Sequence, residues 1–210
     1  MNSKPLSRNA NIEINYFMMI DRIKEAINQS VDLKKAILED FLLLQNIQTV
    51  ADIMTDCFKN DGKILFCGNG GSAADAQHLA AEFSGRFYYD RPPLYSEALH
   101  VNSSFVTAVA NDYSYEEVYA RMIRAMGRKG DILVAISTSG NSGNILKAID
   151  EALKLEMIVV GMTGKTGGLM KEKCCYLLNP PSTDTPRVQE SHILIGHILC
   201  ELVEAAVFPK

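Results

Sequence analysis

Apolar residues recur every three or four positions through the first sixty residues. Ile12, Tyr16, Ile20, Ile23 and Ile27 form one stripe, and Ile37, Phe41, Leu44, Ile47, Val50, Ile53 and Met54 form a second within Leu33 to Phe58. That period belongs to amphipathic helices, so two long helices are predicted, the second closed by the turn signal Asp61-Gly62. Their apolar stripes need something to pack on, either a face of their own domain or that face together with a subunit interface. From Lys63 the rhythm changes to short buried runs separated by loops and helical stretches. "KILFC", "EALHV", "DILVAI", "MIVVGM" and "CCYLLN" read as five strands. Between them lie helical patterns near Ala73 to Phe83, in "SSFVTAVAND", "YEEVYARMIRAMG" and "ILKAIDEALKL". A last helix runs from about Arg187 to Val207, started by Pro186.

Strands alternating with helices predict an α/β fold, a parallel sheet with helices on both faces. Ligands of such sheets sit at the carboxyl ends of the strands. The two loops richest in Gly and Ser, residues 68–72 and 137–144, both lie there. The 210 residues fit one domain, with residues 1–60 as a helical extension of it.

Composition narrows the choice of partner. A net charge of -4 argues against a nucleic-acid binder that relies on a basic surface, but one phosphate can still be held by backbone amides and hydroxyls. Cys57, Cys67, Cys174, Cys175 and Cys200 form no CxxC and read as reduced thiols. "MNSKPLSRNA" lacks the apolar stretch of a signal peptide, and no apolar run is long enough to span a bilayer. A cytoplasmic protein without membrane contact is expected.

Three constellations carry candidate chemistry. In "CGNGGSAADAQHLAAE" (Cys67 to Glu82), Gly68, Gly70 and Ala73 satisfy the dinucleotide pattern G-x-G-x-x-A. The ribose-binding acid that this pattern requires at the end of the next strand is missing, since that strand ends "LHVN". No lysine follows the glycines, so a P-loop is excluded as well. What remains is a helix N-terminus whose small residues would let a ligand reach the backbone, or only a tight turn. Ser72 and Asp75 have the spacing of a capping box for that helix.

The second loop, "STSGNS", places Ser137, Thr138, Ser139 and Ser142 within six residues at a strand end and a helix start. Four hydroxyls exceed what a cap requires, and with free amides they suit a phosphate monoester. Third, His78 and Glu82 stand four residues apart on one helix face, a spacing for a shared metal ion or an acid/base pair. In the last helix, Gln189 and His197 are separated by about 12 Å of rise. Both can serve one ion only by reaching toward each other, or else they serve sites in different subunits. His197 alone, within "ILIGHILC", reads as a core histidine.

Taken together, the two leading helices, "CGNGGSAADAQHLAAEFSGRF", "AND", "GDILVAISTSGNSGNILKAI", "GMTGKTGG" and "TPRVQESHILIGHILCELVE" resemble the sugar isomerase (SIS) domain family and, within it, the phosphoheptose isomerases. The resemblance covers nearly the whole chain. It implies a five-stranded parallel flavodoxin-like sheet and a homotetramer with active sites between subunits. It implies substrate contacts at Asn69, Gly70, Gly71, Glu82, Asn111, Asp112, Ser137, Thr138, Ser139, Ser142 and Gln189. It also implies one zinc ion per subunit on His78, Glu82, Gln189 and His197, and Glu82 with His197 as the catalytic pair. The implied reaction is ketose–aldose isomerisation of sedoheptulose 7-phosphate through an enediol(ate). Non-catalytic SIS proteins that bind a replication initiator or other regulatory partners are the alternative, and the presence of both Glu82 and His197 favours the enzyme. The loop "PPSTDTP" is one of at least two variants in the family and bears on the rim of the sugar pocket.

Overall fold

The computed structural model describes the backbone from residue 8 to residue 210 and the side chains from residue 18 onward. Of the predicted first stripe, Ile12 and Tyr16 therefore lie outside the described side chains. Two helices lead, α1 (Arg8–Glu39) and α2 (Phe41–Lys59). The break between them falls later than the spacing predicts. Leu33 and Ile37 end α1, and Asp40 caps α2 by accepting a hydrogen bond from the Leu43 amide at 3.0 Å. A capping carboxylate thus overrides an apolar rhythm that runs on through the joint. Phe41, expected in the buried stripe, is instead 69% exposed, while Leu43, Ile47, Val50 and Met54 face inward.

The strands are β1 (Ile64–Gly68), β2 (Ser96–Ala98), β3 (Ile132–Ile136), β4 (Ile158–Met162) and β5 (Tyr176–Leu178). They form one parallel sheet in the order β2-β1-β3-β4-β5, the doubly wound order in which direction switches between β1 and β3. Every residue of β1 and β3 is buried, as expected for parallel strands covered on both faces. Alternation sorts their side chains into two apolar layers. Ile64, Phe66, Val134 and Ile136 face the layer filled by α2, α3 (Gly71–Ser84) and α7 (Thr185–Val207). Leu65, Cys67, Leu133 and Ala135 face the layer filled from α4 (Ser103–Asp112), α5 (Val118–Met126) and α6 (Gly143–Lys154).

Packing of α3 against α7 matters most for function. A Cβ on Gly196 would lie 2.5 Å from Leu79, and one on Gly71 would lie 2.5 Å from the Gln189 amide. Glycine at both levels lets the two helices run closely side by side. Among the described residues no helix is long and apolar enough to cross a membrane.

Candidate functional site

Both Gly/Ser loops open where the sheet switches direction. β1 ends at Gly68, and Gly70, with φ of 56°, turns the chain into α3. Only glycine adopts that turn without strain. The predicted capping box does not form: Gly70 is the N-cap and no side chain caps α3. Ser72 is instead buried inside the first turn. One carboxylate oxygen of Asp75 is buried without a partner, and burial pushes its acid up to about 6, against a smaller lowering by His78.

The Ser/Thr loop follows β3. Ser142 occupies the N-cap of α6 without bonding to that helix's amides. Its hydroxyl lies 3.0 Å from Ser137 Oγ, and Ser139 Oγ lies 3.5 Å from Ser137 Oγ. The hydroxyls are thus gathered beside a helix start whose amides no side chain caps, a neutral cradle for an anion. Gly140, with φ of 67°, lets the loop pass the 164–168 turn, since a Cβ there would sit 2.1 Å from Gly167 O. Thr138, Ser139, Asn141, Lys165, Thr166, Thr183 and Thr185 line a polar cavity of 270 Å³ on this side of the loop. The motif "GMTGKTGG" and the loop "PPSTDTP" give Lys165, Thr183 and Thr185 no individual role in the sequence, and the tertiary fold brings them here.

Asn69, expected to touch substrate, has its side chain engaged within the protein. It exchanges two 2.9 Å hydrogen bonds with the buried Asn144 and accepts a third from the Tyr115 hydroxyl at 3.1 Å. Asn111 and Asp112, at the end of α4, are exposed and paired with each other at 2.9 Å. They bond to neither loop, although Tyr115 lies just beyond them.

A second cluster lies further along α3. His78 Nε2 is 2.9 Å from His197 Nε2 and 3.5 Å from Glu82 Oε1. His197, which reads as a core residue by itself, is brought to His78 and Glu82 by the α3–α7 contact. Phe87 packs against the His197 ring, with centroids 5.6 Å apart. The following loop is anchored by Glu204, which accepts from the amides of Phe87 at 2.9 Å and Tyr88 at 2.7 Å and pairs with Arg91 at 3.0 Å. Burial alone would raise the Glu204 acid, but these donors together hold it below the usual carboxylate value.

Gln189 does not join this cluster. Its amide lies against Gly71, about 10 Å of helix rise from His78, so the four expected zinc ligands do not meet within one chain. Among the described residues no group of three His, Cys, Asp or Glu side chains is arranged to hold a metal ion. The two imidazoles point at each other as hydrogen-bond partners instead of around a common centre. The remaining histidines stand apart. His192 is buried against Thr163 O at 3.0 Å, and burial pushes its pKa down to about 4. His100 is half-buried, with Nδ1 unpartnered.

The SIS domain family matches residues 25–164. A phosphoheptose isomerase of Aneurinibacillus thermoaerophilus is 52% identical over 190 residues, covering 90% of this chain and 96% of that protein. Phosphoheptose isomerase 2 of Campylobacter jejuni is 50% identical over 188 residues, covering 90% and 94%. Among solved structures, a phosphoheptose isomerase from Neisseria gonorrhoeae superposes with a TM-score of 0.84 at 40% identity, covering 89% of this chain and 99% of that one. One from Francisella tularensis gives 0.85 at 37% identity, covering 88% and 97%. The sheet order, the two leading helices and these matches agree: the chain belongs to the SIS-domain family, among its phosphoheptose isomerases.

Proposed function

We propose that the protein is an aldose–ketose isomerase converting D-sedoheptulose 7-phosphate to D-glycero-D-manno-heptose 7-phosphate for heptose biosynthesis. The observation that carries this reading is the meeting of Glu82, His78 and His197 across the α3–α7 contact. It is an acid–base cluster in a chain that is 52% identical to a phosphoheptose isomerase. The hydroxyls of Ser137, Thr138, Ser139 and Ser142, with the first amides of α6, hold the phosphate, so binding energy from the unreactive end positions the carbonyl end. Gly70 and Gly71 let the sugar lie against the backbone, where the Gln189 amide meets its hydroxyls.

Glu82 removes a proton from C1 and the electrons of that bond form the C1–C2 double bond of an enediolate. The C2 carbonyl electrons settle on O2, which takes the O1 proton; the O1 electrons then form the C1 carbonyl while the C1–C2 double bond takes a proton at C2 from protonated His197. His78, exposed between the two groups, resets them by passing a proton from Glu82 to His197 in exchange with solvent.

One zinc ion per subunit belongs to the proposal in a restricted form. Two imidazoles and a carboxylate are donors that zinc accepts, so His78, Glu82 and His197 would hold it once the His78–His197 hydrogen bond opens. Gln189 of the same chain lies too far along α7. Bound there, zinc would polarise the sugar's oxygens; every step above is carried by the protein's own groups.

A homotetramer with shared active sites also belongs to the proposal, as does a cytoplasmic location. Glu82 lies eleven residues beyond Gly71, about 16 Å along α3, so the loops and the acid–base cluster of one chain stand at different levels. A second subunit can bring the two together. The test is incubation with sedoheptulose 7-phosphate in D₂O, followed by NMR. Aldose with deuterium at C2 is expected, and neither aldose nor exchange from metal-replete protein would sink the reading.

A further inference from the structure

Asn144 stands on the first turn of α6, 4% exposed, and nothing in the sequence singles it out. Its amide forms a closed ring with that of Asn69: Asn144 Nδ2 donates to Asn69 Oδ1 and Asn69 Nδ2 donates to Asn144 Oδ1, both at 2.9 Å. The Tyr115 hydroxyl donates to the same Asn69 oxygen at 3.1 Å, filling its second lone pair. Two further ties hold the flanks. The Tyr119 hydroxyl donates to Gly68 O, and Lys147 of α6 pairs with Glu116 at 3.0 Å and Glu117 at 2.9 Å. Three chain segments therefore meet at one polar knot: the glycine loop after β1, the start of α6 after the Ser/Thr loop, and the turn that follows Asn111 and Asp112.

We infer that Asn144 is a positioning residue that acts only through Asn69, and that Asn69 serves the reaction as a tie between the sugar loop and the phosphate loop, not through a side-chain contact to substrate. This inference rests on the function proposed above. Amide pairs bind in a fixed plane, and a buried polar pair left half-made is penalised. The ring therefore fixes the distance between the phosphate cradle and the glycine backbone, and a small misplacement there lowers the rate far more than it loosens the fold.

The experiment is a double-mutant cycle on the full-length protein with Asn69→Ala, Asn144→Ala and the double variant, measuring kcat and KM for sedoheptulose 7-phosphate. Each single change is expected to lower kcat/KM by about 10- to 100-fold, and the double variant to be no worse than the poorer single one. Losses that multiply, or Asn69→Ala falling far below Asn144→Ala, overturn the inference, because Asn69 then touches substrate by itself. Unchanged kcat/KM with a lowered melting temperature also overturns it, since the pair is then merely structural.

Asn144→Ser takes the place of Asn144→Ala in the cycle should the latter not fold. Hydrogen exchange reads the same tie without turnover: either single variant is expected to speed exchange in residues 68–72 and 137–143 together. Faster exchange only in the mutated loop refutes the tie. A wild type that binds sedoheptulose 7-phosphate without converting it refutes the proposed activity, while the exchange experiment still decides the tie.

Discussion

Glu82 and His192 show how titratable groups take different roles according to what surrounds them. Glu82 is reached by His78 at 3.5 Å and lies on the partly open face of α3, which suits the proton exchange proposed for it. Replacing it by Gln keeps the shape and removes the proposed base. The expected outcome is a fall in kcat of roughly 10²- to 10⁴-fold with little change in KM, measured by steady-state turnover. Near-normal turnover would remove Glu82 from the base role.

His192 has no such freedom, being sealed against Thr163 with its pKa pushed from 6.5 to about 4 by burial. Its folded pKa is depressed, so the unfolded chain binds the proton first. The stability it contributes is present above pH 6.5 and is lost as pH falls through 4, by about 3 kcal/mol in all. Asp75, with its acid raised to about 6, acts in the opposite direction over part of that range. The check is therefore the difference in unfolding free energy between wild type and His192→Gln, in which Asp75 cancels. That difference should shrink as pH drops from 6.5 to 4, and a difference independent of pH would refute the assignment.

Among elements, the α3–α7 contact and the loop after α3 decide the second cluster. Gly71 and Gly196 permit the close approach, and Glu204 then pins the loop through Phe87, Tyr88 and Arg91. The Arg91 and Glu204 side chains are 2% and 1% exposed. Glu204→Leu leaves the buried Arg91 charge without its carboxylate, though still bonded to backbone carbonyls, and two amides unpaired, and should cost about 3–5 kcal/mol in denaturant unfolding. It should also lower activity, because Phe87 rests on His197. Arg91→Met combined with Glu204→Leu should recover part of the stability, and no recovery would mean that the pair is not what holds the loop. At this scale the sequence was legible wherever periodicity acts alone: β1, β3, β4, β5 and the α7 helix fall where the pattern puts them, while β2 (Ser96–Ala98) ends before the "LHV" predicted with it. It was misleading where a single residue decides, as at Asp40, whose cap starts α2, and at Ser72 and Asp75, which form no cap because Gly70 starts α3 two residues earlier.

For the whole molecule, the leading helices leave an apolar surface that the described residues do not cover. Met18, Met19, Ile23, Ile27, Leu38, Phe41 and Leu42 are all more than half exposed, and exposed apolar patches of this kind mark interaction surfaces. The proposed tetramer would bury it. Phe41→Asp together with Ile27→Asp is expected to shift the sedimentation coefficient toward that of a monomer and to abolish turnover with it; a dissociated but fully active protein would contradict shared active sites. The sequence by itself determined the strand–helix alternation, and so the parallel sheet, because burial on two faces and a repeat of 3.6 are written in the order of apolar residues. It also placed the two loops at the carboxyl ends of β1 and β3, because a parallel sheet puts every such loop on one edge. Only the tertiary structure decided which side chains meet. That Asn69 spends its amide on Asn144, that His197 leaves the apolar stripe for His78, and that Gln189 stays at Gly71 all depend on contacts between residues 75 or more positions apart, and no local pattern encodes those.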